Sequence, residues 1–571
     1  MSLLLFVLVS AGLLLAGYFT YGRFMAKVLR LNPAAQTPAC ALQDNVDFVP
    51  TPRFYLLGQH LSAIAAAAPI AGPIIAGMWF GWIPAIVWIV LGGVFIGAVH
   101  DMATLVASLR HQGRSIAEVI REHVNRRAYL LFLLFLWFSL MYIITVFTDM
   151  TAGAFVDAGS GGGVAASSML YLLLALVMGA TLRFVKLPLA ASTLIFLPLV
   201  LVCIYVGPLM PLRLEGVGGL SERAVWDILL LGYCGVAALI PVWLLLQPRG
   251  YLGGFFLTFT AGISFIGLAV GSFTQGYLVQ FPAFVGWVNP AGLPMLPILF
   301  TTIACGACSG FHAIVASGTT SKQIAREPDA RLVGYGGMLL ESFVAIIALA
   351  TLMMLSKAKA GEFKGNAVQL YASGIASFLN CLGLNKDFAL NFALLAFATF
   401  VYDTLDVATR LGRYVFQELT GWRGKAAPVA ATIVTLILPL IFVTRKVVGP
   451  TGAEVPVWNI FWNAFGSSNQ LLAAMVLFMA SIWLYRMRMR YLVTLVPSIF
   501  MAAITVASLV LLLKPWLAGM LRDGRLKADP LGITAIVLLL LAFLLVVEGL
   551  RVLAKGRPAL EGEAKAPTAE G

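Results

Sequence analysis

Long apolar runs separated by short polar segments organise almost the whole sequence. A membrane-spanning helix needs about 20 consecutive apolar residues. Runs of this kind predict about fifteen spans, at 2–28, 56–80, 82–109, 128–157, 164–184, 188–210, 226–247, 251–276, 293–317, 331–356, 388–410, 427–445, 460–485, 491–513 and 531–550. The pattern therefore predicts an all-α polytopic membrane protein.

The polar segments between these runs are too short for a soluble domain. The longest are 29–55, 110–127 and 357–387, together with the tail after Arg551. We expect one transmembrane domain over residues 1–555 and a disordered cytoplasmic tail over 556–571, whose composition is that of unfolded segments. The first apolar run has no basic region before it, which favours a retained helix over a signal peptide.

The composition indicates that lipid is the solvent of this chain. Apolar residues make up 60% and charged residues 11%, and the mean hydropathy is +0.94, whereas soluble domains contain about 25% charged residues. The net charge of +13 comes from basic residues spread over short loops. This distribution is typical of topology signals beside anionic lipid and not of a nucleic-acid site.

Threading the spans alternately through the membrane separates the basic residues. Roughly 26 of the 38 Lys and Arg fall on one side, which the positive-inside rule assigns to the cytoplasm. We therefore expect the N-terminus outside and the C-terminus in the cytoplasm, in a bacterial inner (plasma) membrane.

Two segments at membrane depth combine small residues with polar ones. The first, 58–73, and the second, 301–320, supply the following candidates for substrate binding: Gly58, Gln59, His60, Ser62, Pro69, Gly72, Ser309, Gly310, His312, Ser317 and Thr319. Pro and Gly interrupt helices, and a broken helix persists in lipid where it lines an enclosed, hydrated cavity. The two segments thread in opposite senses, as an inverted repeat requires. They predict a midplane site, with close helix packing through small residues as the alternative.

Ionisable residues within spans are rare and mark transport pathways. His100 and Asp101 are candidates for a proton relay, although Asp101 can instead pair with Arg110. Glu341 lies about three turns into its span, where we expect coupled protonation, with a structural hydrogen bond as the alternative. Asp406 is either a coupling residue or half of an ion pair near a helix end.

Amides and thiols supply weaker candidates. Asn469 and Gln470 lie in one span and either bind a substrate or bridge helices. Cys305, Cys308 and His312 fall at i, i+3 and i+7, which would place three zinc ligands on one face of an unbroken helix. A fourth ligand is not evident, and buried cysteines commonly pack as small apolar groups. We therefore expect no metal, no cofactor and no ATP-driven mechanism, since the sequence has no phosphate-binding loop motif.

Several long motifs resemble the carbon starvation protein A (CstA) family over about residues 50–500. They are GQHLSAIAAAAPIAGP, GAVHDM, PVWLLLQPRGYL, TIACGACSGFHAIVASGTTSKQ, VGYGGMLLESFVAIIAL, DTLDVATRLGRYVFQEL and FGSSNQLLA. The resemblance implies an inverted-repeat fold like that of the amino acid–polyamine–organocation superfamily, and uptake of pyruvate with protons, or of peptides, during nutrient limitation. The chain departs from the family at His100, Gly250 and Cys308, where we expect Gln, Asp and a small apolar residue. These departures leave the substrate open.

We therefore expect a secondary transporter and not an enzyme. The predicted substrates are pyruvate-like monocarboxylates first and small peptides second, imported with H⁺ or Na⁺ in a carbon-starvation response. Apart from its small-molecule substrate, the expected partner is membrane lipid; the oligomeric state stays open. The alternative from another class is a membrane sensor that binds a solute without moving it, and such sensors usually carry a cytoplasmic output domain.

Overall fold

The structure is a computed structural model that describes residues 2–44, 48–65, 67–241, 243–445, 456–523 and 530–556. Helices form most of these residues, and the described part of the chain contains isolated β-bridges but no strand. The all-helical fold predicted from the apolar runs is thus confirmed. The predicted disordered tail lies outside the described residues from position 557 onwards.

Ten helices occupy the N-terminal third of the chain. They are α1 (Leu3–Phe19), α2 (Tyr21–Val28), α3 (Pro38–Ala41), α4 (Arg53–Ile64), α5 (Ala68–Phe80), α6 (Trp82–Gly92), α7 (Ala98–Arg110), α8 (Ile116–His123), α9 (Arg126–Phe155) and α10 (Gly161–Ala180). A π-helical turn, Gly93–Gly97, joins α6 to α7, so that the two form one span.

Thirteen more helices follow. In the middle of the chain they are α11 (Leu189–Val206), α12 (Glu222–Leu239), α13 (Leu246–Thr274), α14 (Met295–Thr302), α15 (Phe311–Gly318), α16 (Gly337–Met353), α17 (Lys357–Glu362) and α18 (Ala367–Asn380). The last five are α19 (Lys386–Thr420), α20 (Ala427–Val443), α21 (Val457–Arg486), α22 (Leu492–Asp523) and α23 (Pro530–Ala554). Two more π-helical turns lie at Thr181–Val185, after α10, and at Arg331–Gly336, which leads into α16.

Fewer helical segments than the sequence predicts are long and apolar enough to cross a membrane. Among the described residues, 11 helical segments can cross a membrane, and the bent pair α4–α5 raises the number to 12. The other three predicted spans correspond to α12, which contains Glu222, Arg223 and Asp227, to the pair of short helices α14 and α15, and to the 17-residue α20. A multi-pass helical protein is confirmed, and the count of about fifteen stays a prediction.

Both broken segments are present. The axis bends by 53° between α4 and α5, and Pro69 lies in the first turn of α5, where its missing N–H needs no helical partner. In the second segment the chain leaves helical geometry at Ile303 (φ −98°, ψ 71°) and resumes it at Phe311. The inverted-repeat relation between the two halves stays a prediction.

Glycines bring the broken segments against their neighbours. A Cβ atom on Gly72 would lie 2.6 Å from the carbonyl oxygen of Thr302, and one on Gly466 would lie 2.0 Å from the carbonyl oxygen of Thr301. Neither distance leaves room for a side chain. Backbone therefore packs on backbone between α5, α14 and α21, as small residues allow in membrane helices.

Replacing Gly466 by Ala is expected to destabilise the fold by about 1–3 kcal/mol, because the backbone oxygen of Thr301 cannot move aside like a flexible side chain. Thermal unfolding in detergent measures the loss. The matched control is Gly262→Ala, at an exposed position of α13 with no atom within 4 Å of the added methyl group. Since Ala favours a helix over Gly by roughly 0.5–1 kcal/mol, the control should lose nothing. Equal stability of the two variants would contradict this packing.

One helix within the predicted polar segment 357–387 is buried. Leu370, Ile375 and Phe378 of α18 are fully enclosed, and α18 packs beside α13, α16 and α19. At 1.5 Å per residue its 14 residues reach only about 21 Å, less than the apolar thickness of a bilayer. The helix α18 is therefore too short to be predicted as a membrane span, although its apolar residues repeat at helical spacing.

Candidate functional site

Four ionisable side chains form a connected group inside the helix bundle. His100, Asp101, His312 and Glu341 are each 0% exposed. Nδ1 of His100 lies 2.7 Å from Oδ1 of Asp101, and Nδ1 of His312 lies 2.8 Å from Oδ2 of the same carboxylate. Nε2 of His312 lies 3.2 Å from Oε2 of Glu341. We call these four residues the histidine–carboxylate cluster.

The cluster is arranged so that its two carboxylates are joined through one imidazole. The Asp101 carboxylate can only accept, so each neighbouring imidazole donates its Nδ1 proton to it. The Nε2 atom of His312 then faces Oε2 of Glu341 at 3.2 Å. One proton on this pair gives the cluster one net negative charge, and a second proton makes it neutral. Such a group can take up and release a proton within the bundle.

Three separate helices supply the cluster. His100 and Asp101 lie in the first turn of α7, directly after the π-helical turn Gly93–Gly97. Glu341 lies in the second turn of α16, soon after the π-helical turn Arg331–Gly336, and His312 lies in the first turn of α15, at the end of the helix break. Single π-helical turns inside helices are frequent at functional sites. All four residues therefore lie within five positions of an interruption in regular helix geometry.

Asn469 of α21 holds the start of α15 in place. Its side-chain Oδ1 accepts from the backbone N–H of Phe311 (3.0 Å), and its side-chain Nδ2 donates to Ser309 Oγ (3.0 Å). Its backbone carbonyl accepts from the N–H of Gly310 (3.1 Å). The first N–H groups of a helix have no helical partner. Asn469 satisfies two such donors next to His312 and so orients the cluster. This is helix bridging, one of the two roles predicted for this amide.

Two further predicted binding residues also make contacts between helices. Gln470 donates to the carbonyl oxygen of Phe300, and Ser317 Oγ accepts from the N–H of Ile116 at 3.1 Å. Their predicted role in substrate binding stays a prediction.

A second buried ionic group surrounds Arg249 of α13. Its Nε lies 3.2 Å from Oδ1 of Asp403, and its Nη1 donates to Asp406 and, at 2.5 Å, to Tyr233 Oη. Asp403 also accepts from Ser62 Oγ at 2.6 Å. We call these five residues the arginine cluster. Arg249 is 1% exposed, and two carboxylates against one guanidinium give the cluster one net negative charge when both are ionised.

Arg249 was not among the predicted site residues, because the sequence Gln247–Gly250 resembles a turn between two spans. The structure begins α13 at Leu246 and places Pro248 in the first turn, where proline is tolerated. Asp406 therefore pairs with Arg249 and not with a neighbour on its own helix. Arg410 instead donates to the carbonyls of Ala237 and Ile240.

The alternative pairing of Asp101 with Arg110 is not what the structure shows. Arg110 Nη2 lies 2.6 Å from Glu327 Oε1 and also donates to the carbonyl of Leu29. Asp101 accepts from the two imidazoles instead.

A cavity of about 140 Å³ opens onto the arginine cluster. Its polar lining includes Gln59, Ser62, Arg249, Thr319, Lys322, Asp403 and Asp406. It shares Val49, Gln59, Gln247 and Gln323 with a second cavity of about 410 Å³. Both cavities lie at helix ends that the sequence predicts to face the cytoplasm.

Helix α4 lies between the two clusters. His60 Nδ1 is 2.9 Å from Thr320 Oγ1, and its ring packs against Gly337, one helical turn before Glu341. Ser62, two residues later and on the opposite face of the helix, donates to Asp403. Gly254 of α13 permits close contact with α4, since a Cβ on Gly254 would lie 2.3 Å from the Gly58 carbonyl oxygen, whereas a Cβ on Gly58 would meet no atom within 4 Å.

The weak candidate zinc ligands Cys305, Cys308 and His312 do not converge as a set. Because the chain is not helical between Ile303 and Phe311, side chains at positions i, i+3 and i+7 do not share a helix face there. Cys305, His312 and Glu341 instead bring their ligand atoms within 4.8 Å of one another. Cys308 is buried outside this group.

A multi-pass helical bundle with broken helices, buried ionisable groups and an adjoining polar cavity has the features of a membrane transporter. The model of the family described as "Carbon starvation protein CstA" matches residues 2–368 and 358–508. The chain belongs to the carbon starvation protein CstA family and is a transporter, not an enzyme.

Curated relatives carry transporter names. The chain is 32% identical to the "Peptide transporter CstA" of Escherichia coli (strain K12) over 88% of this chain and 80% of the relative. It is 30% identical to the "Pyruvate/proton symporter BtsT" of the same organism over 88% and 81%. It is 31% identical to the "Peptide transporter CstA" of Bacillus subtilis (strain 168) over 99% and 100%. The alternative of a sensor without transport is not supported by these relatives.

Solved structures of two other transporters are similar at a lower level. An Eremococcus coleocola manganese transporter in complex with an aromatic bis-isothiourea substituted compound has a TM-score of 0.40 at 12% identity, over 90% of this chain and 98% of that one. MhsT in complex with L-phenylalanine has a TM-score of 0.36 at 13% identity, over 88% and 98%.

Proposed function

We propose that this protein imports small organic carboxylates of the pyruvate type by symport with protons across a bacterial inner membrane, in response to carbon starvation. One observation carries the proposal: a buried guanidinium at the floor of a cavity lies one helix away from a buried imidazole–carboxylate group. The first suits a carboxylate substrate, and the second suits the coupling proton.

The arginine cluster supports recognition of a carboxylate. A guanidinium presents parallel N–H donors that match the two oxygens of a carboxylate. Arg249 already pairs with two side-chain carboxylates, with Asp403 through Nε and with Asp406 through Nη1, and its contact with Asp403 is the longer of the two at 3.2 Å. We infer that a substrate carboxylate enters from the cavity and replaces Asp403 at Nε. Lys322, at the cavity wall, adds positive charge along the entry route.

Helix α4 connects substrate binding to proton binding. Its Ser62 contacts Asp403, while its His60 contacts Thr320 and packs one turn from Glu341. A substrate that displaces Asp403 alters the hydrogen bond that positions Ser62, and α4 carries this change towards the histidine–carboxylate cluster. The bend between α4 and α5 is the natural hinge for such a movement.

The side chains of the histidine–carboxylate cluster suit a coupling proton better than a sodium ion. Sodium sites in transporters with broken helices use backbone carbonyls and helix C-terminal ends. The cluster here instead presents two imidazoles to two carboxylates, and imidazole is the side chain that exchanges protons near neutral pH.

The position of the cavities is consistent with an inward-open arrangement. They lie at the ends of α4, α13 and α15 that the basic loops assign to the cytoplasm, with the N-terminus outside and the C-terminus inside. Alternating access then requires a movement that closes these cavities and opens the opposite side of α5 and α14.

Peptide uptake is the second candidate. The cavity lining contains acidic Asp403 and Asp406 as well as basic Arg249 and Lys322, so both ends of a zwitterionic peptide would find opposite charges. Several relatives also carry the name peptide transporter.

Purified protein in proteoliposomes is expected to accumulate radiolabelled pyruvate when the outside is made more acidic, with the membrane potential clamped. Empty liposomes provide the background, and a sodium gradient at equal pH provides the second arm. Accumulation driven only by sodium would overturn the proton assignment. Accumulation of dialanine without pyruvate would replace the carboxylate substrate by a peptide, and transport of neither solute would contradict the proposed function.

A further inference from the structure

A second group of histidines lies outside the membrane-spanning helices, where α7 turns into α8. The ligand atoms of His111, Glu122 and His123 lie within 4.8 Å of one another. Nε2 of His111 is 2.7 Å from Nε2 of His123, and the two rings meet edge to face. Oε1 of Glu122 is 3.9 Å from Nε2 of His111. The proposed transport mechanism uses none of these residues.

The hydrogen bonds of His111 leave its outer nitrogen free to act as a ligand. Its Nδ1 donates to the carbonyl of Ala107 at 2.6 Å, so the lone pair is on Nε2, the atom that faces His123. An imidazole whose second nitrogen donates to a backbone carbonyl is the usual form of a metal-binding histidine. Without a metal, the two Nε2 atoms share a single proton between them.

A divalent ion can replace that proton after a small movement. Zn–N bonds of about 2.0–2.1 Å at tetrahedral angles put two nitrogens roughly 3.3 Å apart, which is about 0.6 Å more than the present separation. Glu122 is exposed and His123 only partly buried, so both side chains can adjust. Arg114 lies 4.0 Å from Glu122 but is itself exposed and can turn towards solvent.

The same corner is bonded to the second broken segment. The N–H of Ile116 donates to Ser317 Oγ at 3.1 Å, and Ser108 Oγ lies 2.9 Å from Ser321 Oγ. His111 also packs beside Trp483 of α21. An ion that ties α7 to α8 therefore restrains the end of α15, the helix that carries His312.

We propose that His111, Glu122 and His123 form a binding site for a divalent transition-metal ion of the zinc type, and that the bound ion restrains the α7–α8 corner and slows transport. The effect on transport rests on the proposed function, whereas binding of the ion does not.

Binding is tested on purified, full-length protein in detergent, with no polyhistidine tag, after removal of metals with a chelator. Zn²⁺ affinity is measured by competition with a fluorescent chelator, and Co²⁺ is used to report the ligand set through its visible absorption. We expect one site in the micromolar range, and at least a tenfold loss of affinity in both His123→Gln and Glu122→Gln. Glu118→Gln, which removes the same charge from the same helix, is the matched control and should bind normally.

The buried group Cys305, His312 and Glu341 provides the counter-test. Unchanged Zn²⁺ affinity in His123→Gln, or loss of the site in Cys305→Ser instead, would overturn the proposal. In proteoliposomes, micromolar Zn²⁺ should slow solute exchange by the wild type and not by His123→Gln. Equal inhibition of both proteins would overturn the proposed effect of the ion on transport but not the proposed binding site. If no solute is transported at all, the proposed function fails, and the binding measurement still decides the site.

Discussion

Replacing Glu341 by Gln is expected to abolish proton-driven accumulation of the substrate while leaving solute exchange within about twofold of wild type. The amide keeps the size of the side chain but, unlike the carboxylate that faces His312, cannot take up a proton. Coupled electroneutral symport driven by one pH unit can concentrate a solute about tenfold, because a tenfold ratio and one pH unit are each about 1.4 kcal/mol. In the variant this ratio should fall to about one.

Exchange of external for internal solute separates coupling from misfolding. Exchange needs an intact site and the movement between its two open states, but no net proton transfer. Asp101→Asn should lose accumulation in the same way, since its carboxylate accepts from both imidazoles. A Glu341→Gln protein that still concentrates pyruvate under a pH gradient would show that this carboxylate carries no coupling proton. Loss of exchange together with accumulation would point to a structural role.

Replacing Arg249 by Lys is expected to lower transport efficiency by about a hundredfold, or close to 2.7 kcal/mol. Lysine keeps the positive charge, so Asp403 and Asp406 are not left buried without a counter-charge, which would cost about 3–5 kcal/mol of stability. What it loses is the planar pair of donors that matches a carboxylate. The measurement is initial uptake over a range of substrate concentrations, with thermal unfolding as the check on folding.

Asp403→Asn is the variant that distinguishes substrate binding from a structural ion pair. If Asp403 competes with the substrate for Arg249, its neutralisation should lower KM, whereas Arg249→Lys should raise it. If instead the arginine cluster only holds α13 against α19, both variants should lose stability and transport together, and the assignment of Arg249 to the substrate would be wrong.

The residues of the histidine–carboxylate cluster could each be selected from the sequence, but their arrangement could not. Asp101, His312 and Glu341 are noticeable because a charge within an apolar run is costly and so needs a reason. Which groups pair depends on how α7, α15 and α16 pack, and no local pattern encodes that. From the sequence alone, Asp101 could therefore equally be a residue of a proton relay or the ion-pair partner of Arg110.

Arg249, in contrast, was not selected as a site residue from the sequence. Its local sequence, Pro248 to Gly250, contains the residues that usually mark a turn, and so a reading of local patterns places it in a loop. Only the packing of α13 against α4 and α19 buries it beside Asp403. The resemblance of PVWLLLQPRGYL to the family was the signal that could have directed attention to this position.

The sequence by itself determined that this chain is a multi-pass helical membrane protein, where its helices are interrupted, and which family it resembles. These properties depend on the length of apolar runs and on single residues such as Pro69, which act over a few positions of the chain. The tertiary structure decided which buried charges face one another and that α4 lies between the two clusters. Those contacts join residues hundreds of positions apart, and only helix packing brings them within hydrogen-bonding distance.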